Sequence, residues 1–453
     1  MSVKKADNEV KLTESSTGST VKSGEVPVDR ATLRKVTLAA SVGSGIEYFD
    51  LVVYGAMAPI LAKVFFPSSD PAVGLLSTFA VFALAFVARP LGGLFWGPLG
   101  DRIGRKRTLA AIIIVMALSS AAIGLLPGYA EIGFLAPILL ILCRFGQGIS
   151  AGGEMPGAAT LVGEYASDRK RGLQTSFLQW GVTTGQIAAL LFCFALSAVI
   201  PAEDMQSWGW RIPFLIALPL GAIGLYIRSR IAESPDFEKV EQLGAKTEHP
   251  VKALLGCSRG WKMLGRATLF NLPVGVPAYL LLTFMPAFLV STVHLTSAEA
   301  LLAVTIAIVL AMVVQPIGGL LSDRFGRRPL LGILCLTQLA TAFPAFILLN
   351  AGGFVPALAG LMLLGFIHGI ATGCQSAPVL ESFPTPIRFT GYALALGLST
   401  ALLSGPTPYV ATWLIGVTGS SFAPAWLIVV CAIPALIGAF FIKETNNRPL
   451  PTR

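Results

Sequence analysis

Five ionisable side chains lie deep inside long apolar stretches of this sequence. They are Glu47, Asp50, Glu154, Arg89 and Arg144. An ionised group at the centre of a membrane helix costs a few kcal/mol, so such groups face a cavity and pair with one another. A carboxylate can take up and release a proton, and a guanidinium binds a carboxylate through two parallel hydrogen bonds. The set therefore indicates proton binding and recognition of an anionic group.

Two of the acids stand close together on one helix. Glu47 and Asp50 are three positions apart and share a helix face. A neighbouring carboxylate, burial and a nearby guanidinium all change the proton affinity of a carboxyl group, and a proton-coupled carrier needs such a group. Ion pairs that only fix helix packing are the alternative. The predicted proton-coupling set is Asp50, Glu47, Glu154 and Arg144.

The second half of the chain offers only neutral polar groups at comparable depth. These are Asn271, Gln315, His368 and Gln375. This asymmetry favours recognition of charged groups by the first half of the chain, with neutral polar side chains supplied by the second half. A lone membrane histidine such as His368 can instead hydrogen-bond a neighbouring helix. The predicted substrate-binding residues are Arg89, Arg144, Gln179, His368 and Gln375.

The elements that position these groups are membrane helices. The chain of 453 residues is 54% hydrophobic and only 13% charged, whereas soluble domains carry about 25% charged residues. Apolar runs of about 20 residues, the length that spans a bilayer, occur about twelve times in two sets of six. We predict an all-α membrane protein with two pseudo-symmetric six-helix bundles. The predicted divisions are a disordered tail (1–35), a first bundle (36–231), a linker (232–264), a second bundle (265–443) and a tail (444–453).

A charged phrase appears twice and supports the duplication. GPLGDRIGRK at 97–106 returns as GLLSDRFGRR at 319–328, each between two apolar segments. Internal repeats are typical of secondary transporters. Each aspartate ends a helix, where the next helix N-terminus and an arginine can hold it, and Glu164 and Glu381 are expected to reach Arg105 and Arg327. The predicted gating residues are Asp101, Arg102, Arg105, Glu164, Asp323, Arg324, Arg327 and Glu381.

The net charge of +9 reflects topology rather than nucleic-acid binding. Of the 33 Lys and Arg residues, 29 lie in the tails and in alternate loops, including the stretch 228–266. The positive-inside rule then places both termini in the cytoplasm, across an inner or plasma membrane.

Several chemistries are disfavoured by the motifs. The sequence has no GxxxxGK or HExxH pattern, and its six cysteines are isolated. We therefore expect neither an enzyme nor a metal or other cofactor, and a proton gradient as the driving force.

Further motifs resemble the metabolite:proton symporter family of the major facilitator superfamily. They are GIEYFD at 45–50, ARPLGG at 88–93, RFGQG at 144–148, WGWRIPF at 208–214 and ESP at 233–235. The resemblance covers nearly the whole chain from about residue 35 and implies the major facilitator fold. It also implies proton symport of a solute such as citrate, α-ketoglutarate, shikimate, proline or betaine. The sequence departs from the family pattern at Tyr48-Phe49 and at Met155-Pro156, which bears on the substrate.

The sequence thus predicts a proton-coupled symporter that imports a small organic acid by alternating access. A di- or tricarboxylate or a keto acid is the first expectation, because two arginines lie among the buried charges. The alternatives are a proton symporter for a zwitterion such as proline or betaine, and a drug or metabolite efflux antiporter. The expected partners are a small organic anion, protons and the lipid bilayer, and the expected state is a monomer.

Overall fold

The computed structural model describes residues 30–229, 250–441 and 443–451, without the side chains of residues 30, 31 and 105. Over these residues the chain is helical and contains no strand. The first 29 positions of the predicted tail, and the predicted linker up to position 249, lie outside the described residues.

Six long helical segments form the first bundle. α6 combines a short 3-10 turn with two helices, and the others are continuous. A short helix, Ala58–Phe65, follows the first of them. The six segments are α1 (Arg30–Ala56), α2 (Pro71–Ile103), α3 (Arg105–Leu125), α4 (Leu135–Tyr165), α5 (Arg171–Val199) and α6 (Gly209–Ser229).

Six further segments form the second bundle, after a short helix at Pro250–Leu255. Among the described residues, eleven segments are long and apolar enough to cross a membrane, and α12 is shorter at 17 residues. α7 begins seven positions before the predicted boundary, because the Cys257 side chain caps its first turn. The six segments are α7 (Ser258–Ser291), α8 (Ser297–Phe325), α9 (Arg327–Asn350), α10 (Phe354–Leu380), α11 (Thr385–Thr418) and α12 (Ala425–Phe441).

The repeated phrase has the same backbone in both bundles. Gly104 separates α2 from α3 at φ 100° and ψ 156°, and Gly326 separates α8 from α9 at φ 102° and ψ 161°. Side chains rarely adopt a positive φ of this size, so glycine is required at the turn. The duplication seen in the sequence is therefore a duplication of the turn geometry.

Four pairs of helices carry most of the contact between the bundles. α5 packs against α8 and α10, and α11 packs against α2 and α4. Within the first bundle α1 lies directly against α5, where a Cβ on Gly185 would lie 2.0 Å from the Gly45 carbonyl oxygen. This close approach leaves the Glu47 and Asp50 side chains to contact α2, α3 and α4.

Both α7 and α11 contain one π-helical turn, at Leu280–Phe284 and Thr400–Ser404. Such turns widen a helix locally and are frequent at functional sites. Leu282, Thr400 and Ser404 from these turns line a cavity between the bundles.

Candidate functional site

Asp50 lies at the centre of a buried polar cluster between α1, α3 and α4. Ser120 Oγ donates a hydrogen bond of 2.5 Å to Asp50 Oδ2, and Gln147 Nε2 donates to the same oxygen. The side chain is only 3% exposed. α3 and α4 therefore hold this carboxylate in one orientation.

Arg144 is connected to Asp50 through an amide. Its Nη1 donates to Gln147 Oε1 at 2.7 Å, while the guanidinium lies over the Tyr54 ring at 4.1 Å. Sequence reasoning expected Asp50 and Arg144 to face each other directly, but in the described structure Gln147 stands between them and no ion pair joins them. The Gln147 amide donates to Asp50 and accepts from Arg144, so a change in the charge of either residue affects the other.

Arg89 is paired with the second acid of α1. Its Nη2 lies 3.1 Å from Glu47 Oε1, and both side chains are buried. The guanidinium also lies 4.6 Å from the centre of the Phe86 ring, with the Tyr48 and Tyr279 side chains beside it. Arg89, expected as a substrate ligand, thus has a protein partner in this conformation. A small cavity of about 20 Å³ reaches Glu47, Asp50 and both arginines.

Glu154 is paired with an arginine that sequence reasoning assigned to a cytoplasmic loop. Arg228 Nη2 forms an ion pair with Glu154 Oε1, and the two side chains are 3% and 2% exposed. The assignment of Arg228 to loop charge was wrong, because α6 continues to Ser229 and the Arg228 side chain is buried inside the bundle. The available signal was its position within a predicted span. Three buried carboxylates are therefore accompanied by three buried arginines.

The predicted residues of the second half line a different cavity. It has a volume of about 50 Å³, lies between the bundles and includes Gln179, His368 and Gln375. Gln179 Nε2 donates to Gln375 Oε1 at 3.3 Å, and Gln375 Nε2 donates to Asn271 Oδ1 at 2.6 Å. His368 Nδ1 has no partner among the described residues. Amides, hydroxyls and aromatic rings dominate this lining, and the lining residues include no arginine, lysine or carboxylate.

Gln315 forms a hydrogen-bonded bridge across this cavity that the sequence did not predict. Gln315 Nε2 of α8 donates to Thr183 Oγ1 of α5 at 2.7 Å and to Thr372 Oγ1 of α10 at 3.2 Å. Gln315 had been noted only for its depth in the second half. The bridge ties the two bundles together at the level of the cavity.

The two repeated loops close one side of the molecule, because the aspartate of each loop contacts the opposite bundle. Asp323 Oδ1 and Oδ2 accept hydrogen bonds from the backbone N–H of Gly172 (2.9 Å) and Leu173 (2.8 Å) at the start of α5. Asp101 Oδ2 accepts from Thr390 N at 3.2 Å and from Thr390 Oγ1 at 2.7 Å in α11. Arg327, the first residue of α9, holds Asp323 at 2.8 Å, as expected. Each aspartate in addition binds the start of a helix in the opposite bundle, a contact that the sequence did not predict.

The glutamates at the ends of α4 and α10 also reach across. Glu164 pairs with Arg388 at 3.0 Å, and Glu381 pairs with Arg171 at 2.9 Å. Arg171 and Arg388 are 217 positions apart, as are Glu164 and Glu381, and this shared offset was the signal that sequence reasoning missed. These two arginines join the bundles and do not serve only as topology signals.

The other predicted gating arginines have varied positions. Arg327 lies 3.1 Å from Glu381 within the second bundle and 2.8 Å from Asp323, as the sequence suggested. Arg324 is beside the Phe325 ring, Arg102 is exposed, and the Arg105 side chain lies outside the described residues. The predicted pair of Glu164 with Arg105 therefore lies outside the described side chains, and the partner of Glu164 that the structure shows is Arg388 of the opposite bundle.

The segment after α12 crosses over this set of ion pairs. Glu444 accepts hydrogen bonds from the backbone N–H of Arg327 and Arg328, at 3.0 and 3.1 Å. The Pro451 carbonyl oxygen accepts from Arg388 Nη2 at 3.0 Å. Residues 444–451 are thus part of the closed side that carries the repeated loops. On the opposite side a larger cavity of about 730 Å³ lies between the short helix Ala58–Phe65, the start of α2 and the ends of α7 and α11.

Removal of both cross-bundle arginines should open the side of the molecule that carries the repeated loops. Loss of one partner from a buried ion pair leaves an uncompensated charge and costs about 3–5 kcal/mol. In a variant carrying Arg171→Gln and Arg388→Gln, we expect a cysteine placed at Leu380, which packs against Gly163, to react faster with a soluble maleimide. Arg169→Gln with Lys170→Gln removes the same charge from exposed positions and is the control. Equal reaction rates in both variants would contradict the role of the pairs.

Comparison with known proteins identifies the family. A model described as Major Facilitator Superfamily matches residues 40–405. The chain belongs to the major facilitator superfamily. Its relatives include the proline/betaine transporter of Salmonella typhimurium, 42% identical over 93% of this chain and 86% of the relative. The glycine betaine/proline/ectoine/pipecolic acid transporter OusA of Dickeya dadantii is 40% identical over the same shares.

A further relative and a solved structure are also similar to this chain. The inner membrane metabolite transport protein YhjE of Escherichia coli is 38% identical over 92% of this chain and 95% of the relative. The proton:xylose symporter XylE, bound to 6-bromo-6-deoxy-D-glucose, has a TM-score of 0.73 at 19% identity, covering 93% of this chain and 98% of XylE. The likeness to XylE shows the fold alone. The expected recognition is confirmed: the protein is a multi-pass membrane transporter with two six-helix bundles, not an enzyme.

Proposed function

We propose that this protein is a proton-coupled symporter that imports a zwitterionic solute of the proline and betaine type. The observation that carries the proposal is the charge balance of the buried groups in the first bundle. The proline/betaine transporter of Salmonella typhimurium and OusA of Dickeya dadantii support the same substrate class, which was the alternative in the sequence analysis. The di- or tricarboxylate that was the first expectation is less well supported.

This charge balance depends on Arg228, which only the structure shows to be buried beside Glu154. Glu47, Asp50 and Glu154 stand against Arg89, Arg144 and Arg228, all six at most 3% exposed. A buried charge needs a compensating partner because water is excluded. A di- or tricarboxylate would bring two or three uncompensated negative charges into this balanced set, whereas a zwitterion brings a net charge of zero.

The aromatic side chains beside the arginines suit the cationic end of such a solute. The rings of Phe86 and Tyr279 are 4.8 Å apart, those of Phe82 and Phe86 are 4.9 Å apart, and that of Tyr54 lies 5.8 Å from Phe82. Ring faces attract quaternary ammonium groups. In this conformation the guanidinium of Arg144 occupies that position over Tyr54 and Phe82, so a bound solute would displace or share it.

Proton and solute binding are linked through Gln147. Protonation of Asp50 removes the negative charge that Gln147 Nε2 and Ser120 Oγ stabilise. Gln147 then holds Arg144 less firmly, and the guanidinium becomes available to a solute carboxylate. The neutral cavity between the bundles, which includes Gln179, His368 and Gln375, receives the rest of the solute. The cavity is smaller than a solute, so the bundles must separate to admit it.

Transport in liposomes tests the proposal. With an imposed gradient, outside acidic, we expect accumulation of proline or glycine betaine that a protonophore abolishes. Citrate and α-ketoglutarate serve as the matched anions. Accumulation of either anion in place of the zwitterions would contradict the substrate class. Proton-driven extrusion of the solute would instead indicate the antiporter alternative.

The proposed orientation has both termini in the cytoplasm, in the cytoplasmic membrane of a bacterium. Cys257 is exposed just before α7 on the gated side, and Ser68 is exposed between α1 and α2 on the other. In a Ser68→Cys variant, we expect an impermeant maleimide added outside cells to label position 68 and not Cys257. Permeabilised cells should show label at both positions. External labelling of Cys257 in intact cells would reverse the orientation.

A further inference from the structure

Three buried carboxylates of the first bundle each leave one oxygen without a hydrogen-bond partner among the described residues. The atoms are Glu47 Oε2, Asp50 Oδ1 and Glu154 Oε2. A buried polar atom without a partner costs about 1–3 kcal/mol, and more for a charged group. A proton placed on such an oxygen removes the charge, so these atoms are positions where a proton is stabilised.

Two of the three carboxylates lie on one face of α1, and the third, Glu154 of α4, lies against the same face. Gly43, Glu47 and Asp50 are at positions i, i+4 and i+7 of the helix and therefore share a face. Gly43 lies against the Glu154–Arg228 pair: a Cβ at this position would lie 2.6 Å from Glu154 Oε1. Glu154 is thus about one helical turn, or roughly 6 Å, from the level of Glu47. The order toward the start of α1 is Asp50, Glu47, Glu154.

A small cavity connects Asp50 with Glu47, and an electrostatic interaction connects Glu47 with Glu154. The cavity of about 20 Å³ contacts both Asp50 and Glu47, and a space of that size admits about one water molecule. Glu47 and Glu154 interact electrostatically. Arg228 stands one residue before the end of α6, on the side of the molecule where the repeated loops lie.

We propose that the proton passes through the interior of the first bundle, from Asp50 to Glu47 to Glu154, while the solute passes between the bundles. This rests on the proposed function and adds the route of the coupled ion. The proton binds Asp50 from the outer side and moves to Glu47 through one water. It then moves to Glu154 and leaves to the cytoplasm. Arg228 is a positioning residue that compensates Glu154 after the proton has left.

The surroundings of the series are known for every helix that packs on it. α3 and α5 present neutral side chains to the three carboxylates within the described residues. The charged and titratable groups that face them are Tyr48 and Tyr54 on α1, Arg89 on α2, Arg144 on α4, Arg228 on α6 and Tyr279 on α7. Apart from the three acids, no group in this set is a carboxyl that offers a parallel route.

The competing explanation is that Glu154 and Arg228 only fix the packing of α4 against α6. A packing pair can be replaced by neutral side chains of similar volume with little loss, whereas a proton carrier cannot. The deciding variant is therefore Glu154→Gln combined with Arg228→Met, compared with Glu154→Asp, which keeps a carboxyl group. Glu299→Gln is the control, because glutamine can also complete the capping box at the start of α8.

The assay uses the full chain in liposomes that contain a pH-sensitive dye. A proline or betaine gradient is applied, and proton influx and solute exchange at equal pH are measured separately. We expect the Glu154→Gln/Arg228→Met variant to exchange solute but to lose proton influx by about tenfold or more, the scale of a lost proton-transfer group. Glu154→Asp should recover part of the influx, and Glu299→Gln should match the unaltered protein.

Two results would overturn the proposed route. One is normal solute-driven proton influx in the double variant. The other is loss of both exchange and influx in Glu154→Asp and in the double variant alike, since that pattern belongs to packing. A lack of solute-driven proton influx in the unaltered protein would instead contradict the proposed function itself, so the two failures are distinguishable.

Discussion

Asp50→Asn should abolish uphill accumulation of solute while solute exchange survives. Asparagine has nearly the shape of a protonated aspartic acid, so the hydrogen bonds from Ser120 and Gln147 can be replaced by related ones. The amide cannot release a proton, so the protein can move solute but cannot couple it to the gradient. We expect accumulation driven by a pH gradient to fall to background, a loss of about tenfold or more, or about 1.4 kcal/mol of driving force.

The measurement compares gradient-driven uptake with exchange at equal pH in the same liposomes. Glu131→Gln, in the short helix at the outer end of α3, is a control that removes one carboxylate outside the cluster. Full accumulation by Asp50→Asn would exclude Asp50 from coupling and would leave Glu47 as the outermost carboxylate of the series.

The two arginines of the cluster should respond differently to replacement by lysine. An ammonium lacks the planar fork that binds a carboxylate through two bonds. Arg89 has an unpartnered Nη1 and lies beside Tyr279, which also lines the cavity between the bundles. Arg89→Lys should therefore raise the apparent substrate constant about tenfold, equivalent to about 1.4 kcal/mol, with little change in pH profile.

Arg144→Lys should do the reverse, because Arg144 acts on Asp50 through Gln147. A lysine cannot hold the same amide and lie over the Tyr54 ring in the same way, so the pH dependence of transport should change more than the affinity. Solute binding and uptake measured at several pH values would separate the two effects. Unchanged affinity and pH profile in both variants would mean that the arginines are structural.

The duplication and the membrane helices followed from local features of the chain. Apolar runs of span length and a repeated turn around Gly104 and Gly326 depend on residues close together in sequence, and periodicity reveals them. The isolated acids Glu47, Asp50 and Glu154 were also visible, since an ionised residue inside an apolar run needs no structure to be noticed. Family motifs then gave the superfamily, which the comparisons confirm.

The pairings depended on residues far apart in sequence. Whether Glu164 meets an arginine of the opposite bundle is decided by how the two bundles dock, and the structure places such a partner, Arg388, 224 positions away. The same holds for Asp101 and Asp323, which bind helix starts of the opposite bundle. A loop charge that sets topology and a loop charge that joins bundles have the same local sequence.

By itself the sequence determined which residues are unusual for their surroundings: charges within apolar helices, and an aspartate and a glycine at each repeated turn. Only the tertiary structure decided how these charges combine. It shows that Arg228, assigned to a loop from the sequence, is the partner of Glu154. It also shows that Gln147 lies between Asp50 and Arg144. The physical reason is that burial is set by local hydropathy, whereas charge compensation is set by the packing of helices distant in the chain. That compensation is what favours a zwitterion over an anion.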